Sequence, residues 1–179
     1  MKKTFLFLAE GFEEIEAITT IDILRRAEIA LSTVSIYSHK MVKGAHNIAI
    51  EADALFVETD FSGGDMLILP GGSVAFRDFS PLQELILRYN GQGKYLAAIC
   101  AAPLVFGNLG LLQGKEAVCY PGYENYLKGA TIVDKPVVIA GNIITAKAAG
   151  VTIEFALTLA ELLGNRDLAD NVAGQIFFR

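Results

Sequence analysis

Short apolar runs alternate along this chain with segments in which apolar residues recur every three or four positions. A short continuous run predicts a strand that is buried on both faces, whereas the longer period predicts a helix with one buried face. Between residues 40 and 57, two brief apolar runs predict a short antiparallel excursion. The predicted strands of the main sheet cover residues 5–8, 31–37, 66–69, 95–99, 117–120, 137–140 and 143–146.

The first helix is predicted to begin at Glu14, where the apolar period changes. Acidic residues open this segment and Arg25 and Arg26 close it, which suits the dipole of a helix. The predicted buried face consists of apolar residues at three-residue spacing, namely Ile15, Ile18, Ile21, Leu24 and Ala27.

Residues that favour helix ends mark the remaining helices. Serine and asparagine are common N-caps, proline is common in the first turn, and glycine commonly follows the last turn. The predicted boundaries are Ser80 with Pro81 before the second helix, Gly110 after residues 101–109, Gly164 after residues 151–163, and Asn165 or Asp167 before a last short helix.

The alternation predicts the α/β class, as a doubly wound, mostly parallel sheet with helices on both faces. No linker or repeat divides the chain, so residues 1–179 are predicted to form a single domain. Ligands of such sheets bind at the carboxyl ends of the strands. Three loops are predicted to lie there, at residues 10–16, 70–72 and 100–103.

Composition excludes several classes of function. The net charge is −5 and the longest basic run is Arg25–Arg26, so nucleic-acid binding is not expected. No apolar stretch reaches the length of a membrane span, so no membrane association is expected.

Residues 1–8 have a basic start and an apolar run, but glutamates follow at once, so we interpret them as a strand rather than a signal peptide. Two cysteines make no disulfide framework, which predicts a cytoplasmic protein.

Cys100 is the first candidate for chemistry because it lies between a buried strand and a predicted helix. A sharp turn at that point lifts a side chain above the sheet, beside unpaired backbone N–H groups. Those groups are expected to lower the pKa of the thiol below its ordinary value of about 8.5. The alternative is a structural cysteine in the core.

Gly71 and Gly72 follow another buried strand, after Pro70. Consecutive glycines let the backbone turn tightly and present N–H groups to a ligand, so these two are candidates to stabilise an oxyanion near Cys100. A simple turn is the alternative interpretation.

Three glutamates open the first helix. Glu13 and Glu14 fit dipole partners or caps, with Glu13 also a possible pocket residue. Glu16 differs because Ile15 and Ala17 flank it. A carboxyl buried there would have a raised pKa, and it could donate a hydrogen bond to a thiolate or act as a general acid or base.

The remaining candidates are few. His39 and His46 lie in the uncertain region between strands, so no Cys–His pair is evident, and no cluster has the spacing of metal ligands. Cys119 is expected in the core, and Tyr120 is a possible pocket residue. Neither a dinucleotide nor a P-loop glycine motif is present, which removes the usual sequence support for dinucleotide or NTP binding.

Taken together, these motifs resemble the ThiJ/PfpI family of the class I glutamine-amidotransferase-like superfamily. The most similar branch is that of the parkinsonism-associated protein deglycase. The resemblance covers essentially the whole chain. It is carried by AEGFEEIE at 9–16, DILRRA at 22–27, ILPGG at 68–72, AAICAAP at 97–103, GLLQGK at 110–115 and EFAL at 154–157.

The resemblance implies a flavodoxin-like fold, a homodimer and no obligatory cofactor. It also implies that Cys100 is the nucleophilic, oxidation-sensitive cysteine and Glu16 its carboxyl partner. By the same resemblance, the N–H groups of Gly72 and Ala101 stabilise an anion.

The sequence departs from the family pattern at four places. Ala101 stands where the protease-like branch has histidine, and Tyr120 stands where several relatives have histidine. Relatives often have glycine at Glu28 and Arg-Gly-Pro at 147–149, where this chain has Lys-Ala-Ala. The missing histidines disfavour a peptidase and leave a glyoxalase or deglycase without a second acid or base.

Two functions therefore remain open at the level of sequence. In the first, Cys100 attacks a small 2-oxoaldehyde or a glycated adduct and Glu16 moves the proton. In the second, the protein is an oxidative-stress sensor or chaperone in which Cys100 is oxidised to the sulfinate and held by protonated Glu16. An intracellular cysteine peptidase is the third and least favoured alternative. The expected partners are a small carbonyl compound and a second copy of the chain.

Overall fold

The computed structural model describes residues 2–178. Its five longer helices are α1 (Glu14–Arg26), α2 (Ser80–Gly91), α3 (Pro103–Asn108), α4 (Thr152–Leu163) and α5 (Arg166–Gln175). Its strands are β1 (Lys3–Leu8), β2 (Ala30–Ser35), β3 (Met41–Lys43), β4 (Ala49–Glu51), β5 (Ala54–Leu55), β6 (Met66–Leu69), β7 (Tyr95–Ile99), β8 (Glu116–Ala117), β9 (Thr131–Ile132), β10 (Val137–Ala140) and β11 (Ile143–Ala146).

The main sheet within residues 2–178 has seven strands in the order β10-β11-β7-β6-β1-β2-β5. All neighbours pair in parallel except β10 and β11, which form an antiparallel hairpin at one edge. This arrangement confirms the predicted α/β class with a mostly parallel sheet.

Helices cover both faces of this sheet and create two apolar cores. Along β1, Phe5 and Phe7 point into the core beneath α2 and α3, while Leu6 and Leu8 point into the core beneath α1, α4 and α5. Because this central strand is buried on both faces, its residues 5–8 form a continuous apolar run rather than an alternating one.

The central strands end side by side, which determines where the functional loops meet. β6 pairs with β1 on one side and with β7 on the other. The loops that follow β1, β6 and β7 therefore lie at one edge of the sheet, and these are the loops expected to carry the site.

The predicted buried face of α1 is wrong at its start, whereas Leu24 and Ala27 are buried as predicted. Ile15 and Ile18 are exposed, at 56% and 38%, whereas Glu16 and Ala17 are fully buried. A three-residue spacing falls short of the 3.6-residue turn, so successive members rotate by about 60° around the helix and cannot all face one core. The residues of α1 that are buried are Glu14, Glu16, Ala17, Thr20, Ile23 and Leu24.

Several boundaries also differ from the prediction. Ser80 is the first residue of α2 and makes no capping hydrogen bond, because the cap position falls on Phe79. The third helix begins at Pro103, two residues later than predicted. The strand predicted at 117–120 is reduced to Glu116–Ala117. The apolar run at 55–57 divides between β5, parallel to β2, and a 3₁₀ turn.

Other local predictions are confirmed. β3 and β4 pair antiparallel in the region where an excursion was predicted. Asn165 caps α5 by accepting a hydrogen bond from the N–H of Leu168 at 2.9 Å. In the part of the chain that the structure describes, helices are too short or too polar to cross a bilayer.

Candidate active site

Cys100 occupies a sharp elbow at the carboxyl end of β7. Its φ is +65°, a left-handed conformation that is costly for a residue with a side chain. The backbone is held on both sides, because the Cys100 N–H donates to the Ala146 carbonyl at 2.9 Å and the Cys100 carbonyl accepts from the Tyr120 N–H at 2.8 Å. Strain of this kind persists only where neighbouring structure enforces it, and such positions are common at functional sites.

Glu16 brings a buried carboxyl to this elbow from the first turn of α1. Its side chain has no exposed surface, and its Oε2 accepts a hydrogen bond of 2.7 Å from the Gly71 N–H. The Cys100 thiol lies close enough to act on the same carboxyl. This thiol–carboxyl contact falls short of a formed hydrogen bond, so Glu16 Oε1 is buried without a hydrogen-bond partner.

Gly71 lies between the Cys100 thiol and the Glu16 carboxyl and packs closely against both residues. A Cβ placed at Gly71 would lie 2.6 Å from the Cys100 Cβ and 2.6 Å from Glu16 Oε2. Only a residue without a side chain lets the thiol, the carboxyl and this backbone meet. The Gly71 carbonyl also accepts from the Glu13 N–H at 2.9 Å, which fixes the loop after β6 against the start of α1.

Burial raises the pKa of Glu16 to about 7. The nearby charge of Glu13 acts in the same direction, while the hydrogen bond from the Gly71 N–H and the contact with the Cys100 thiol oppose it. A carboxyl with this pKa exchanges its proton at neutral pH, as a general acid or base must. The raised value agrees with what was expected for a buried Glu16.

The expectation that the turn lowers the pKa of Cys100 is wrong for this arrangement. Burial raises the pKa of the thiol to about 12, and the negative charge of Glu16 adds to the effect. The Ala101 N–H donates to the sulfur and lowers the value, but by less than burial raises it. The helix that follows begins only at Pro103 and is six residues long, so its dipole is remote and weak.

The expected role of the Gly71 N–H as an oxyanion donor is also wrong, because that donor is engaged by Glu16. Gly72, the next residue along the chain, remains a candidate for an oxyanion donor. Its φ is +85°, and a side chain there would collide with the Gly11 carbonyl oxygen and the Glu13 N–H. Ala101 is also a candidate, because its N–H lies close enough to the Cys100 sulfur to lower the pKa of the thiol, and the oxygen of an aldehyde bound at that sulfur would lie nearby.

The three glutamates at the start of α1 have different surroundings. Glu13 is the N-cap, and its carboxylate accepts from the Glu16 N–H at 2.8 Å. Glu14 is buried rather than exposed, and its carboxylate accepts from the His46 N–H at 2.6 Å and contacts His46 Nδ1 at 2.8 Å. No sequence pattern linked these residues, since 32 positions separate them.

Glu13, Glu14 and His46 bring three potential metal-ligand atoms within 4.8 Å of one another. Both carboxylate oxygens of Glu14 already bind His46, which raises the pKa of His46 and lowers that of Glu14. An ion pair that holds the β3–β4 hairpin against α1 therefore accounts for the cluster.

The remaining candidates divide between the site and the core. Tyr120 is half exposed and adjoins Cys100 through its backbone. Cys119 is buried in the core on the other face, where burial raises the pKa of its thiol to about 11. His39 stacks on Tyr37 and lies 3.9 Å from Glu10, and His46 binds Glu14, so the described residues supply no histidine contact to Cys100.

The sequence matches known proteins throughout this site. The model of the DJ-1/PfpI family matches residues 2–162. The chain is 37% identical over 183 residues to Protein DJ-1 homolog B of Arabidopsis thaliana, aligning over 99% of this chain and 42% of that protein. It thus spans less than half the length of that relative. It is 30% identical to the Glutathione-independent glyoxalase DJ-1 of Schizosaccharomyces pombe, over 93% of this chain and 94% of that protein.

The fold has matching solved structures. The structure of oxidized Toxoplasma gondii DJ-1 superposes with a TM-score of 0.94 at 32% identity, covering 99% of each chain. The similarity therefore extends over the whole fold, including the elbow and the first turn of α1.

Proposed function

The chain belongs to the DJ-1/PfpI family, and from that membership and its Cys100–Glu16 pair we propose that it converts small 2-oxoaldehydes to 2-hydroxy acids without glutathione. The pair is the observation that carries the proposal. It combines a nucleophile on a strained elbow with a buried carboxyl whose pKa is raised to about 7. The S. pombe relative is named a glutathione-independent glyoxalase, which supports the same reaction.

In the first step, the Cys100 sulfur adds to the aldehyde carbon. A carbon–sulfur bond forms and the thiol proton passes to ionised Glu16. Glu16 then donates this proton to the aldehyde oxygen, which becomes the hydroxyl of a hemithioacetal, and is left as a carboxylate again. The high pKa of the thiol makes this transfer necessary, because little free thiolate exists at neutral pH.

In the second step, Glu16 moves a proton between the two substrate carbons. The proton on the former aldehyde carbon passes to the carboxylate and returns to the neighbouring ketone carbon. The hydroxyl proton of the first carbon passes to the ketone oxygen, so that the first carbon becomes a carbonyl and the second carries the hydroxyl. The first carbon is thereby oxidised to a thioester while the second is reduced. Water then hydrolyses the thioester, which releases the 2-hydroxy acid and restores the thiol.

The same chemistry extends to glycated adducts. An adduct of a 2-oxoaldehyde with an amine or thiol presents the same pair of carbons, and addition of Cys100 to that carbon would release the amine or thiol. Among the described residues, Glu16 acts on the Cys100 thiol both by its charge and by a side-chain contact, whereas Glu13 acts by its charge alone, so we assign both proton transfers to Glu16. We therefore expect slow turnover compared with an enzyme that has two acid–base groups.

The test is formation of lactate from methylglyoxal in the absence of glutathione. Wild-type protein is expected to form lactate, and Cys100→Ser is expected to form none above the uncatalysed rate. Cys119→Ala is the matched control, because it removes the other thiol from the opposite core and is expected to keep the activity. Equal rates for Cys100→Ser and the wild type would exclude Cys100 as the nucleophile.

A second candidate function is oxidation sensing. The unpartnered, buried Oε1 of Glu16 favours it, since a protonated carboxyl with a free oxygen can donate a hydrogen bond to a sulfinate. Each of two peroxide molecules would transfer one oxygen to sulfur and leave as water. The Toxoplasma relative was solved in an oxidized form.

Variants at Glu16 separate the two functions. Glu16→Gln keeps an N–H donor for a sulfinate but has no acid or base, whereas Glu16→Leu has neither. Sensing predicts that peroxide-treated Glu16→Gln accumulates sulfinate by mass spectrometry and Glu16→Leu does not. The enzymatic function predicts that both variants lose lactate formation.

We further propose a homodimer in the cytoplasm. Ile15 and Ile18 on α1 and Ile48 beside β4 are exposed, which is unfavourable for a monomer in water. Light scattering is expected to give twice the single-chain mass of 19.3 kDa, and the single-chain mass would exclude the dimer.

A further inference from the structure

A row of three tyrosine rings begins beside Cys100. The ring centroids of Tyr120 and Tyr123 are 6.4 Å apart in an edge-to-face arrangement, and those of Tyr123 and Tyr126 are 5.9 Å apart. Tyr120 and Tyr126 are 47% and 44% exposed, while Tyr123 packs against the core. The outer two rings therefore present aromatic surface to solvent, and the middle ring anchors them.

The local backbone explains why the rings form a row. The Tyr123 N–H donates to the Tyr120 carbonyl at 3.1 Å, and the Tyr126 N–H donates to the Tyr123 carbonyl at 3.0 Å. In such three-residue turns, side chains at i and i+3 lie above one another. Two successive turns therefore align residues 120, 123 and 126 on one face.

Both ends of the row are attached to the elbow. At one end, the Tyr120 N–H donates to the Cys100 carbonyl at 2.8 Å, which brings the two Cα atoms within roughly 5 Å of each other. At the other end, the backbone of Tyr126 and Leu127 packs directly on Gly107 of α3, where a Cβ would collide with the Tyr126 carbonyl oxygen. Since α3 follows Cys100 after two residues, the row has a fixed position relative to the sulfur.

Two cations near the row are already paired, and the carboxylate of Glu124, within the row, accepts from the Gly122 N–H at 2.7 Å. Lys147 binds Asp134 at 2.6 Å, and Arg77, which lies near Tyr126, binds Asp78 at 2.9 Å through two nitrogens. The row therefore offers ring faces and hydroxyl groups but no unpaired cation among these residues. Its surface suits a flat, uncharged substituent better than an anionic one.

We propose that Tyr120, supported by this row, selects 2-oxoaldehydes that carry an aromatic substituent over those that carry a methyl group. The inference rests on the proposed function, since the aldehyde carbon must be bound at the Cys100 sulfur. The substituent on the ketone carbon then extends along the Tyr120 ring. An aromatic pair of this kind changes affinity by roughly 3- to 10-fold.

The experiment compares kcat/KM for phenylglyoxal and methylglyoxal, which yield mandelate and lactate. The ratio of the two values is expected to fall roughly 3- to 10-fold in Tyr120→Leu and to stay within about twofold of wild type in Tyr120→Phe, which keeps the ring. Tyr95→Leu, at the opposite end of β7, is the matched control and is expected to leave the ratio unchanged. Loss of folded protein cancels within each ratio, and the intrinsic reactivity of the aldehydes cancels when the ratios of variant and wild type are compared.

A second measurement does not depend on turnover by the variant. Mandelate is expected to inhibit the wild type more strongly than lactate does, and this preference is expected to vanish in Tyr120→Leu. If both products form but Tyr120→Leu keeps the wild-type ratio, the selectivity proposal is overturned and the proposed function stands. If the wild type forms neither mandelate nor lactate, both the selectivity proposal and the proposed function are wrong.

Discussion

The Glu16 carboxylate accepts a hydrogen bond of 2.7 Å from the Gly71 N–H, across 55 residues of sequence. This contact joins the first turn of α1 to the loop after β6 and directs the carboxyl toward the elbow. It also explains why the carboxyl can stay buried, because a polar group without a partner in the core would be costly. The sequence had suggested the Gly71 N–H as a donor that stabilises an oxyanion, but this contact with Glu16 already occupies it.

Gly71→Ala is predicted to damage the site directly. The added methyl would lie 2.6 Å from both the Cys100 Cβ and Glu16 Oε2, so the sulfur and the carboxyl must separate. We expect a loss of about 1–3 kcal/mol in the free energy of unfolding, typical of overpacking, and at least a tenfold loss of kcat for lactate formation. Urea denaturation and the lactate assay measure the two effects.

Gly63→Ala is the matched control, because no atom lies within 4 Å of its added methyl. It is expected to keep both stability and activity. Wild-type activity in Gly71→Ala would mean that the contact between Gly71 and the Cys100–Glu16 pair has no part in turnover.

The rate of lactate formation is predicted to rise with pH through about 7. Burial raises the pKa of Glu16 to about 7 and that of Cys100 to about 12, so the pair holds one shared proton between these values. This is the state in which Glu16 can take the thiol proton. kcat/KM measured between about pH 5.5 and 8.5 is expected to increase and then level off.

Glu16→Gln tests this assignment. The variant is expected to lose about 100-fold or more in kcat/KM, since general-base catalysis contributes factors of that order. Its residual activity should lack the rise near pH 7. A variant that kept this rise would show that another group is titrating.

The strands of the central sheet were predictable because burial on both faces leaves a continuous apolar signal. Residues 66–69, 95–99 and 143–146 form buried strands with the predicted bounds, and residues 137–140 do so as an edge strand in which Ile139 is 52% exposed. The buried faces of helices with many polar residues were harder to predict, as α1 shows. Its two buried glutamates interrupt the apolar pattern, and a three-residue spacing directed the prediction to Ile15 and Ile18 on the exposed face.

The site was predictable only in part, for a similar reason. Cys100 at a strand end and Glu16 between apolar residues each have a local signal. The partner of Gly71 and the pairing of Glu14 with His46 depend on contacts across 55 and 32 residues, which leave no periodic trace. The pKa of the Cys100 thiol depends on how deeply the sulfur is buried and on the charge of Glu16 from α1. The position of Cys100 before a helix was therefore not enough to predict whether its pKa is raised or lowered.

Folding stability is predicted to depend on pH through Glu16. Folding raises the pKa of this carboxyl from 4.5 to about 7, so the folded state favours the protonated form. The resulting stability is fully present below pH 4.5 and is lost as the pH rises through about 7. The loss is on the order of 3 kcal/mol.

Urea denaturation of wild type and Glu16→Gln across this range measures the effect. The difference between the two proteins is expected to change between pH 4.5 and 7 and to be constant above it. Other groups with shifted pKa values, including His46, are common to both proteins and cancel in the difference. A difference independent of pH would mean that folding leaves the pKa of Glu16 unchanged.

The backbone strain at Cys100 is predicted to be measurable. With φ at +65°, Cys100→Gly should be more stable than Cys100→Ala by about 1 kcal/mol, because glycine adopts this conformation without a steric cost. Neither variant should be active. At Ala173, within α5, the order should reverse, so that glycine is less stable than the natural alanine by about 1 kcal/mol. Equal stability of the two Cys100 variants would mean that the elbow is not strained.

The last prediction concerns where the shared proton resides. Absorbance near 240 nm, compared between wild type and Cys100→Ser, reports the thiolate of Cys100. Because burial and the Glu16 carboxylate raise its pKa to about 12, we expect no thiolate from Cys100 near neutral pH. Glu16→Gln removes the negative charge and should therefore lower the pKa of Cys100. If the wild type instead forms thiolate below the ordinary value of about 8.5, the shared proton lies on Glu16. The anion would then be the sulfur, which would attack the aldehyde without first transferring a proton, and Glu16 would begin the reaction as an acid rather than a base.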